Sequence, residues 1–388
     1  MITVNKPVIE KQDNSVIVSV EFKLDKCSEI LWYSFPKEFE KFVVTEQLDG
    51  FLVGLLFLGL KTGNDIKLEG AISARLLYTL NNYVIDALCL INPKYEKIQI
   101  IAESTVSKNI NEGGVAGTGM SCGVDSLATY CDHAHLESPF SIDYFIFCNV
   151  GSHGDFGGEK SRKVFLERMK NVIGFAEETN RELIPVDSNL SEILRMKFQQ
   201  TYNLRTISCV LLLQKLFKNY YYSSGTRFDH FSFNKEEIAD VDMLIIPNLS
   251  TESTSMFVSA LKYSRIQRTG LIANFPETFK HLDVCTQPAS VRGDKINCSK
   301  CYKCTRTMLT LDLLGKLDHY SNVFDISYFQ KNKNKYVGKL ISKRKELTLD
   351  KELKQFIQEK GVPAKAYLYS FVNHFFEIKN HLQKKFYK

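Results

Sequence analysis

The sequence predicts an α/β protein built on a doubly wound parallel sheet, with a smaller α/β domain in front of it. From about residue 113 onward, short β-rich runs alternate with helical stretches. Such alternation indicates a parallel sheet whose two faces are both covered by helices. Three segments, CNVGSHGD, PVDSN and YYSSGTR, end in glycine or polar residues. Because ligands bind at the carboxyl ends of parallel strands, these segments predict a pocket.

Residues 1–102 are predicted to form the smaller domain. The run SVIVSVEFKL alternates apolar and polar positions, which suits a half-buried strand. FLVGLLFLGL is too short to span a bilayer and is predicted as a buried helix. The polar, glycine-bearing stretch STVSKNINEGGVAGTG then connects this domain to the main one at residues 113–315.

The main domain contains DYFIFCNV and RELIPVDS as predicted strands, with the amphipathic helix SRKVFLERMKNVIGFAEETN between them. Asn189 and Glu192 have the spacing of a capping box, which predicts the start of the next helix. RTISCVLLLQKLFK then leads into NYYYSSG, and MLIIPNLS ends the series.

The composition is that of an ordinary globular protein. Of the 388 residues, 44% are hydrophobic and 24% are charged, and the length favours more than one domain. The opening stretch MITVNKPVIEKQDNSV has no basic region followed by an apolar one, so we expect no secretory signal. The expected location is the cytoplasm, with no membrane partner.

The C-terminal segment, residues 331–388, is predicted to be helical and basic. It carries 15 Lys and Arg against 5 Asp and Glu, so the rest of the chain is mildly acidic. A basic segment of this kind could bind nucleic acid such as tRNA. A solvated, lysine-rich surface is the simpler alternative.

Four cysteines form a cluster with the spacing of a metal site. Cys298, Cys301 and Cys304 are separated by two residues each, and Cys285 precedes them by twelve intervening residues. Four thiolates complete a tetrahedral zinc site and leave no position for water, so the predicted role of Zn²⁺ is structural. Reduced cysteines in a turn, or a cluster of another metal, are the alternatives.

The segment GTGMSCGVDSLATY suggests a phosphate-binding loop. Glycines and hydroxyls at residues 121–126 precede a predicted helix, and backbone amides at a helix N-terminus attract anions. The loop lacks the Gly-Lys-Ser/Thr of a Walker A sequence. A tight turn without a ligand is the alternative, as is a reactive thiol at Cys122, because a helix N-terminus lowers thiol pKa values.

This loop resembles the PP-loop of the ATP pyrophosphatases, whose pattern is Ser-Gly-Gly-x-Asp-Ser. Cys122 stands where that family has glycine, which costs about 1 kcal/mol or more if the position needs a positive φ. Together with the cysteine cluster, and with Arg306 just after it, the chain resembles the 7-cyano-7-deazaguanine synthase branch over residues 113–315. The preceding 110 residues mark it as a divergent relative.

The resemblance implies a nucleotide-binding parallel sheet of the PP-loop (HUP) type, with ATP and Mg²⁺ as cofactors. It implies catalytic roles for Asp125 and Ser121 and adenosine binding by Asn149, Val150 and Gly151. The implied pyrophosphate-binding residues are Ser121, Cys122, Gly123, Val124, Asp125 and Ser126. Candidates for contacting substrate or phosphate are Ser224, Gly225, Arg227 and Arg265, with Lys262 and Arg268 offered by the same run as Arg265.

The implied reaction is that of a C–N bond-forming ligase. A carboxylate, amide or carbonyl oxygen of a small molecule or polypeptide is adenylated, pyrophosphate leaves, and a nitrogen nucleophile displaces AMP. Relatives of the synthase occur in biosynthetic and antiviral gene clusters, which widens the range of substrates. A tRNA-modifying, thiolating enzyme and a non-catalytic nucleotide-binding protein are the alternatives.

Overall fold

A computed structural model describes residues 1–25, 27–235, 237–343 and 347–371. The chain divides into two compact units. Unit 1 contains Met1–Ser121 and Thr129–Lys262, and unit 2 contains Cys122–Ala128 and the chain from Tyr263 onward. The predicted basic segment at residues 331–388 includes 344–346 and 372–388, which lie outside the described residues.

Unit 1 is organised around one mixed, mostly parallel sheet. Its strands in chain order are β1 (Ile2–Val4), β2 (Val8–Lys11), β3 (Ser15–Leu24), β4 (Cys27–Pro36), β5 (Ile66–Ser73), β6 (Ile100–Val106), β7 (Val115–Gly119), β8 (Tyr144–Asn149), β9 (Glu182–Ser188), β10 (Phe217–Ser223) and β11 (Ser255–Ser259). The spatial order is β11-β10-β7-β8-β9-β4-β3-β1-β5-β6, and β2 pairs with β3.

Strands β7 to β11 form the parallel part of the sheet. The pairs β7–β8, β8–β9, β7–β10 and β10–β11 are all parallel. Their carboxyl ends therefore lie at one edge, and the residues at these ends include Gly119, Asn149, Ser188 and Ser223. The α/β fold with a mostly parallel central sheet is thus confirmed, and three predicted strand ends meet at this edge.

The strands of residues 1–102 continue the same sheet instead of forming a separate one. Strand β4 pairs antiparallel with β9, with Tyr33 opposite Ser188. The Ser188 hydroxyl also donates a hydrogen bond to the Trp32 carbonyl at 2.7 Å. The predicted small domain therefore shares unit 1 with residues 129–262, because backbone pairing at β9 extends the sheet.

Helices cover the sheet of unit 1. The α-helices in this part of the chain are α1 (Asp49–Thr62), α2 (Ala74–Thr79), α3 (Ile85–Ile91), α4 (Val124–His133, whose first residues belong to unit 2), α5 (Glu159–Glu178), α6 (Leu190–Leu194), α7 (Tyr202–Leu211) and α8 (Asp242–Ile245). A π-helical turn, Leu80–Val84, joins α2 to α3. Short 3₁₀ turns lie at Lys37–Phe42, Phe198–Gln200, Phe228–His230, Ile238–Val241 and Pro247–Leu249.

Helix α1 confirms the predicted buried helix. Every residue from Asp49 to Leu60 is buried. A Cβ atom at Gly50 would lie 2.6 Å from the Leu212 side chain, so glycine permits this close packing. Within the described ranges of the chain, no helix is both long and apolar enough to cross a membrane.

Helix α6 begins where the Asn189–Glu192 spacing predicts, but these two side chains do not form the predicted capping box. Asn189 is the N-cap residue of α6, but its side chain bonds the backbone of β4 instead of capping the helix. The Glu192 side chain accepts a hydrogen bond from the Gly158 amide and pairs with Arg162. The run MLIIPNLS forms short helical turns, and β11 is the strand that follows.

Unit 2 is helical. Beyond the first turn of α4 it contains α9 (Arg265–Ile272), α10 (Ala289–Arg292), α11 (Tyr302–Leu313), α12 (Ile326–Ser342) and α13 (Thr348–Lys360), with 3₁₀ turns at Pro276–Thr278 and Leu317–Tyr320. Helices α12 and α13 bury Phe329, Val337, Leu353 and Ile357. The described part of the basic C-terminal segment is therefore packed into unit 2.

Candidate functional site

The loop before α4 has a strained residue at the position where the PP-loop family has glycine. Cys122 has a φ of 56° and is completely buried. A side chain in this left-handed conformation costs about 1 kcal/mol. The loop then turns into the helix, because the Gly123 carbonyl accepts the first helical bond from the Leu127 amide at 3.0 Å.

Burial decides the chemistry of the Cys122 thiol. It raises the pKa of Cys122 well above its ordinary value, and the nearby charge of Asp283 raises it further. A reactive cysteine needs a lowered pKa and some exposure. The structure therefore favours a small buried side chain over the reactive thiol that a helix N-terminus suggested.

Asp125, in the first turn of α4, holds two arginines of α9. Its Oδ2 accepts a hydrogen bond from Arg265 Nη2 at 2.8 Å, and its Oδ1 accepts one from Arg268 Nη1 at 2.5 Å. The arginines are three residues apart and share a helix face. Ser264 and Gln267 form a capping box at the start of α9, so this helix end is well defined.

The arginines set the protonation state of Asp125. Burial alone would raise the pKa of this carboxyl group, but the charges of Arg265 and Arg268 outweigh burial and lower it. The Arg268 side chain is only 1% exposed, and that of Arg265 is 16% exposed. Asp125 is thus a carboxylate at neutral pH, paired with two guanidinium groups.

Two further cations of α11 belong to the same electrostatic neighbourhood. Burial lowers the pKa of Arg306, and so does the charge of Arg265. The charges of Arg306, Arg265 and Asp125 all act on Lys303. We call Arg265, Arg268, Lys303 and Arg306 the basic cluster. Arg265 and Arg268 contact Asp125, and Lys303 and Arg306 interact with it electrostatically. The positive charges of the cluster outnumber the negative charge of Asp125, which favours anion binding.

The four predicted metal ligands converge in unit 2. The Sγ atoms of Cys285, Cys298, Cys301 and Cys304 all lie within 4.8 Å of one another. Tetrahedral zinc with Zn–S bonds of about 2.3 Å requires Sγ atoms about 3.8 Å apart. Sγ of Cys304 is 3.8 Å from that of Cys298 and 3.4 Å from that of Cys301. The donor set and spacing therefore fit a structural Zn²⁺, which would be held by all four thiolates.

Polar contacts also hold the cysteine segments together. The side-chain Nδ2 of Asn297 donates to the Leu282 carbonyl at 2.7 Å, and its Oδ1 accepts from the Val284 backbone amide at 2.9 Å. Arg292 donates to the Cys285 and Gln287 carbonyls. Hydrogen bonding with Cys304 lowers the pKa of Cys301 to about 4.

One backbone hydrogen bond ties the loop to this cysteine element. The Asp283 amide donates to the Cys122 carbonyl at 2.8 Å. Cys301, a predicted metal ligand, is the N-cap residue of α11, the helix that carries Lys303 and Arg306. Metal binding would therefore fix both the strained loop and half of the basic cluster.

The residues implied for adenosine lie at the end of β8 in unit 1. Asn149 is buried and donates to Asp187 Oδ1 at 2.7 Å. The Val150 carbonyl accepts from Arg205 at 3.1 Å, and Gly151 has a φ of 120°. A Cβ atom on Gly151 would lie 2.5 Å from Arg205 Nη1, so this glycine makes room for the guanidinium.

Val124 and Ser126 are buried in unit 2, where the Ser126 hydroxyl donates to the Gly123 carbonyl at 3.1 Å. The remaining predicted residues lie in unit 1. Ser224 is buried and donates to Asp242 Oδ2 at 2.8 Å, whereas Gly225 is exposed. Arg227 pairs with Asp229 at 2.8 Å. Ser121 is exposed, and Lys262 pairs with Asp132. Of the predicted residues, the structure thus brings Asp125, Arg265 and Arg268 together. It adds Lys303, which the sequence analysis did not identify.

Known proteins and structures do not indicate a family for this chain. A search of protein-family models, of curated proteins and of solved structures found no match to this chain.

Proposed function

We propose that the protein binds ATP at the loop of residues 121–126 and adenylates an acceptor oxygen. The observation that carries the proposal is the basic cluster, of which Arg265 and Arg268 contact Asp125 in the first turn of α4. Four cations beside a helix N-terminus supply what triphosphate binding requires. The φ of Cys122 supports the resemblance to the PP-loop, because glycine is the residue that favours a φ of 56°.

The proposed roles follow the chemistry of each group. Backbone amides of Gly123, Val124 and Asp125 and the hydroxyls of Ser121 and Ser126 would donate to the β- and γ-phosphates. Arg265 and Arg306 would neutralise the leaving pyrophosphate together with Mg²⁺. Asn149, Val150 and Gly151 remain the proposed adenosine contacts. Zn²⁺ would have no part in the reaction, because four thiolates leave it no open position.

In the proposed reaction, an acceptor oxygen attacks the α-phosphorus of ATP and the bond to the β-phosphate oxygen breaks. Pyrophosphate leaves with the electron pair, and an acyl- or imidoyl-adenylate forms. A nitrogen nucleophile then attacks the activated carbon and AMP departs. The acceptor and the nucleophile remain open, as does tRNA as a partner.

The test separates cleavage at the α-phosphate from cleavage at the γ-phosphate. The zinc-loaded protein is incubated with ATP, Mg²⁺ and candidate acids, amides or RNA, and the nucleotide products are separated. The proposal predicts AMP and pyrophosphate, and ADP with phosphate would contradict it. Asp125→Asn should abolish AMP formation. Asp132→Asn is the matched control, because Asp132 lies on the same helix and pairs with Lys262 instead.

The second candidate function is that of a non-catalytic nucleotide-binding protein. The hydrogen bonds that Asp125 accepts from two arginines favour it. Both carboxylate oxygens accept hydrogen bonds from arginines, which leaves the group poorly placed to bind Mg²⁺. On this reading ATP binds with an affinity that the basic cluster determines, but no pyrophosphate is released with any acceptor. Equilibrium binding of ATP measured beside pyrophosphate release distinguishes the two functions.

A further inference from the structure

A cavity of unit 2 lies between helices α11, α12 and α13. Its volume is about 330 Å³, which is at the lower end of the range for small-molecule sites. Charged, aromatic and apolar side chains all line it. They include Lys300, Arg306, Lys339, Tyr336, Leu309 and Leu353. We call this space the helical cavity.

One wall of the helical cavity is locked by internal contacts. The Tyr302 hydroxyl donates to Asp350 Oδ1 at 2.6 Å, and Lys343 Nζ pairs with Asp350 Oδ2 at 2.5 Å. The Tyr302 ring also lies under two cations, with Arg306 5.2 Å and Lys343 5.3 Å from its centroid. Asp350 is 1% exposed, and its carboxylate is already paired with Tyr302 and Lys343 of this wall.

The remaining cations of the helical cavity have no carboxylate partners in the part of the chain that the structure describes. Within residues 237–343 and 347–371, no Asp or Glu forms an ion pair with Lys300, Arg306 or Lys339. Among the described residues, the buried Nε of Arg306 also has no hydrogen-bond partner. Three positive charges around one small cavity, with no carboxylate partner among the described residues, favour a ligand with more than one negative charge.

The other half of the lining suits a planar ring. Leu309 and Leu353 are buried, and the half-buried Tyr336 ring stacks on Phe329 at 6.2 Å between centroids. Aromatic and guanidinium planes both stack on nucleobases, and apolar side chains pack against their faces. A site with a cationic side and a flat apolar side therefore fits a molecule that joins a dianion to a planar ring.

We propose that the helical cavity binds a nucleoside monophosphate, either free or as the 5′-phosphorylated end of an RNA strand. The phosphate would contact Lys300, Arg306 and Lys339, and the base would pack against Tyr336 and the leucines. This site shares Arg306 with the basic cluster, whereas Lys300 and Lys339 belong to the helical cavity alone, so variants of these two lysines test it separately from ATP binding at residues 121–126. The size of the cavity admits one nucleotide.

The test locates and measures a bromine-labelled probe, 5-bromouridine 5′-monophosphate, on the full zinc-loaded chain. Crystals soaked with the probe should show anomalous bromine density between α11, α12 and α13. Calorimetry should show binding of the monophosphate at least about tenfold tighter than that of 5-bromouridine. Bromine density elsewhere, or equal affinities of nucleotide and nucleoside, would overturn the proposal.

Matched double variants test the cations. Lys300→Gln with Lys339→Gln should weaken binding of the probe about tenfold, which corresponds to about 1.4 kcal/mol. Lys331→Gln with Lys335→Gln removes the same charge from exposed positions of α12 outside the cavity and should change the affinity less than twofold. All four side chains are exposed, so both variants should fold. Equal weakening by both variants would contradict the proposed site.

The affinity of a short RNA, compared with that of the mononucleotide, distinguishes the two sources of the nucleotide. A short RNA with a 5′-phosphate that binds tighter than the monomer, and loses this advantage without the phosphate, supports an RNA end. Equal affinity of the phosphorylated RNA and the monomer supports a free nucleotide. ATP affinity measured in the same variants should stay unchanged, so a failure of this site is distinguishable from a failure of the proposed function.

Discussion

Two buried arginines show how differently the units use positive charge. Arg205 of unit 1 and Arg268 of unit 2 are almost completely buried. Arg205 donates to the carbonyls of Val150, Asp155 and Met196 and to the Ser191 hydroxyl. Among the residues that the structure describes, no carboxylate forms an ion pair with it. Arg268 instead bonds the carboxylate of Asp125.

The difference lies in what each arginine leaves available. Burial lowers the pKa of Arg205 to about 10, so it stays charged at neutral pH while neutral acceptors surround it. Its hydrogen-bonding capacity goes into holding the loops after β8 and α6. Around Arg268, three more cations share a single carboxylate, and the excess charge can act on a ligand. Burial of a charge alone therefore does not identify a binding site.

The largest expected effect tests whether only unit 2 depends on metal. Cys298→Ser should remove bound zinc and destabilise unit 2 by several kcal/mol, because structural zinc contributes free energy of folding. Unit 1, which contains none of the four cysteines, should keep its unfolding temperature. Zinc content and calorimetric unfolding measure both effects. Cys27→Ser, at an exposed cysteine, is the control. An equal shift of the unfolding transitions of both units would contradict the prediction that only unit 2 depends on metal.

Exchanging each arginine for methionine separates stability from binding. Arg205→Met leaves three carbonyls and a hydroxyl without their donor and should cost about 3 kcal/mol of unfolding free energy. ATP affinity of the folded protein should fall less than it does for Arg268→Met, because Arg205 acts through the loop that carries Val150 and Gly151. Arg268→Met should cost less stability, because Arg265 still pairs with Asp125, but should weaken ATP binding about tenfold. Denaturant unfolding and equilibrium binding are the measurements, and the opposite ranking would contradict the comparison.

The pairing of Asp125 with Arg265 and Arg268 makes the free energy of unfolding depend on pH, and the direction of this dependence is fixed. A lowered pKa in the folded state means that the carboxylate contributes stability above its unfolded pKa of about 3.9. This contribution disappears as the pH falls through the folded pKa. Asp125→Asn should therefore cost about 2 kcal/mol at pH 7.

Unfolding by denaturant between pH 3 and pH 7 measures this dependence. The difference between the wild type and Asp125→Asn should be constant at pH 5–7 and shrink below about pH 4. Both proteins carry the same cysteines, so loss of metal in acid affects them equally. A difference that grows in acid would contradict the assignment of Asp125 as a carboxylate.

The smallest effect concerns the strained cysteine. At position 122, glycine should give a protein about 1 kcal/mol more stable than alanine, because only alanine has a Cβ atom at a φ of 56°. At position 131, a buried cysteine within α4, alanine should instead give a protein about 1 kcal/mol more stable than glycine. Denaturant unfolding of the four variants measures both differences, and the same order at both positions would show that Cys122 is not strained.

The sequence predicted the parts of the fold that depend on local pattern. The alternation in SVIVSVEFKL matches β3, and the apolar run after Asp49 matches α1. It could not show that β4 pairs with β9, because these strands are more than 140 residues apart in the chain. The capping box at Asn189 failed for the same reason, since that side chain bonds β4.

The candidate site was predicted unevenly. Cysteine spacing alone identified all four convergent thiols, because a tight turn must present neighbouring ligands on one side. Arg265 and Arg268 were visible as a pair three residues apart, but their contact with Asp125 spans 140 residues. Lys303 was missed because a lysine between two cysteines carries no signal of its own.

The contact between Cys122 and Asp283 joins main-chain atoms. Neither side chain takes part, so almost any residue at either position preserves it, and proline at 283 is the substitution that would delete the donor. The cysteine element and the turn before α4 can therefore each change in sequence without losing their mechanical coupling. A change of either side chain leaves the link between the two segments intact.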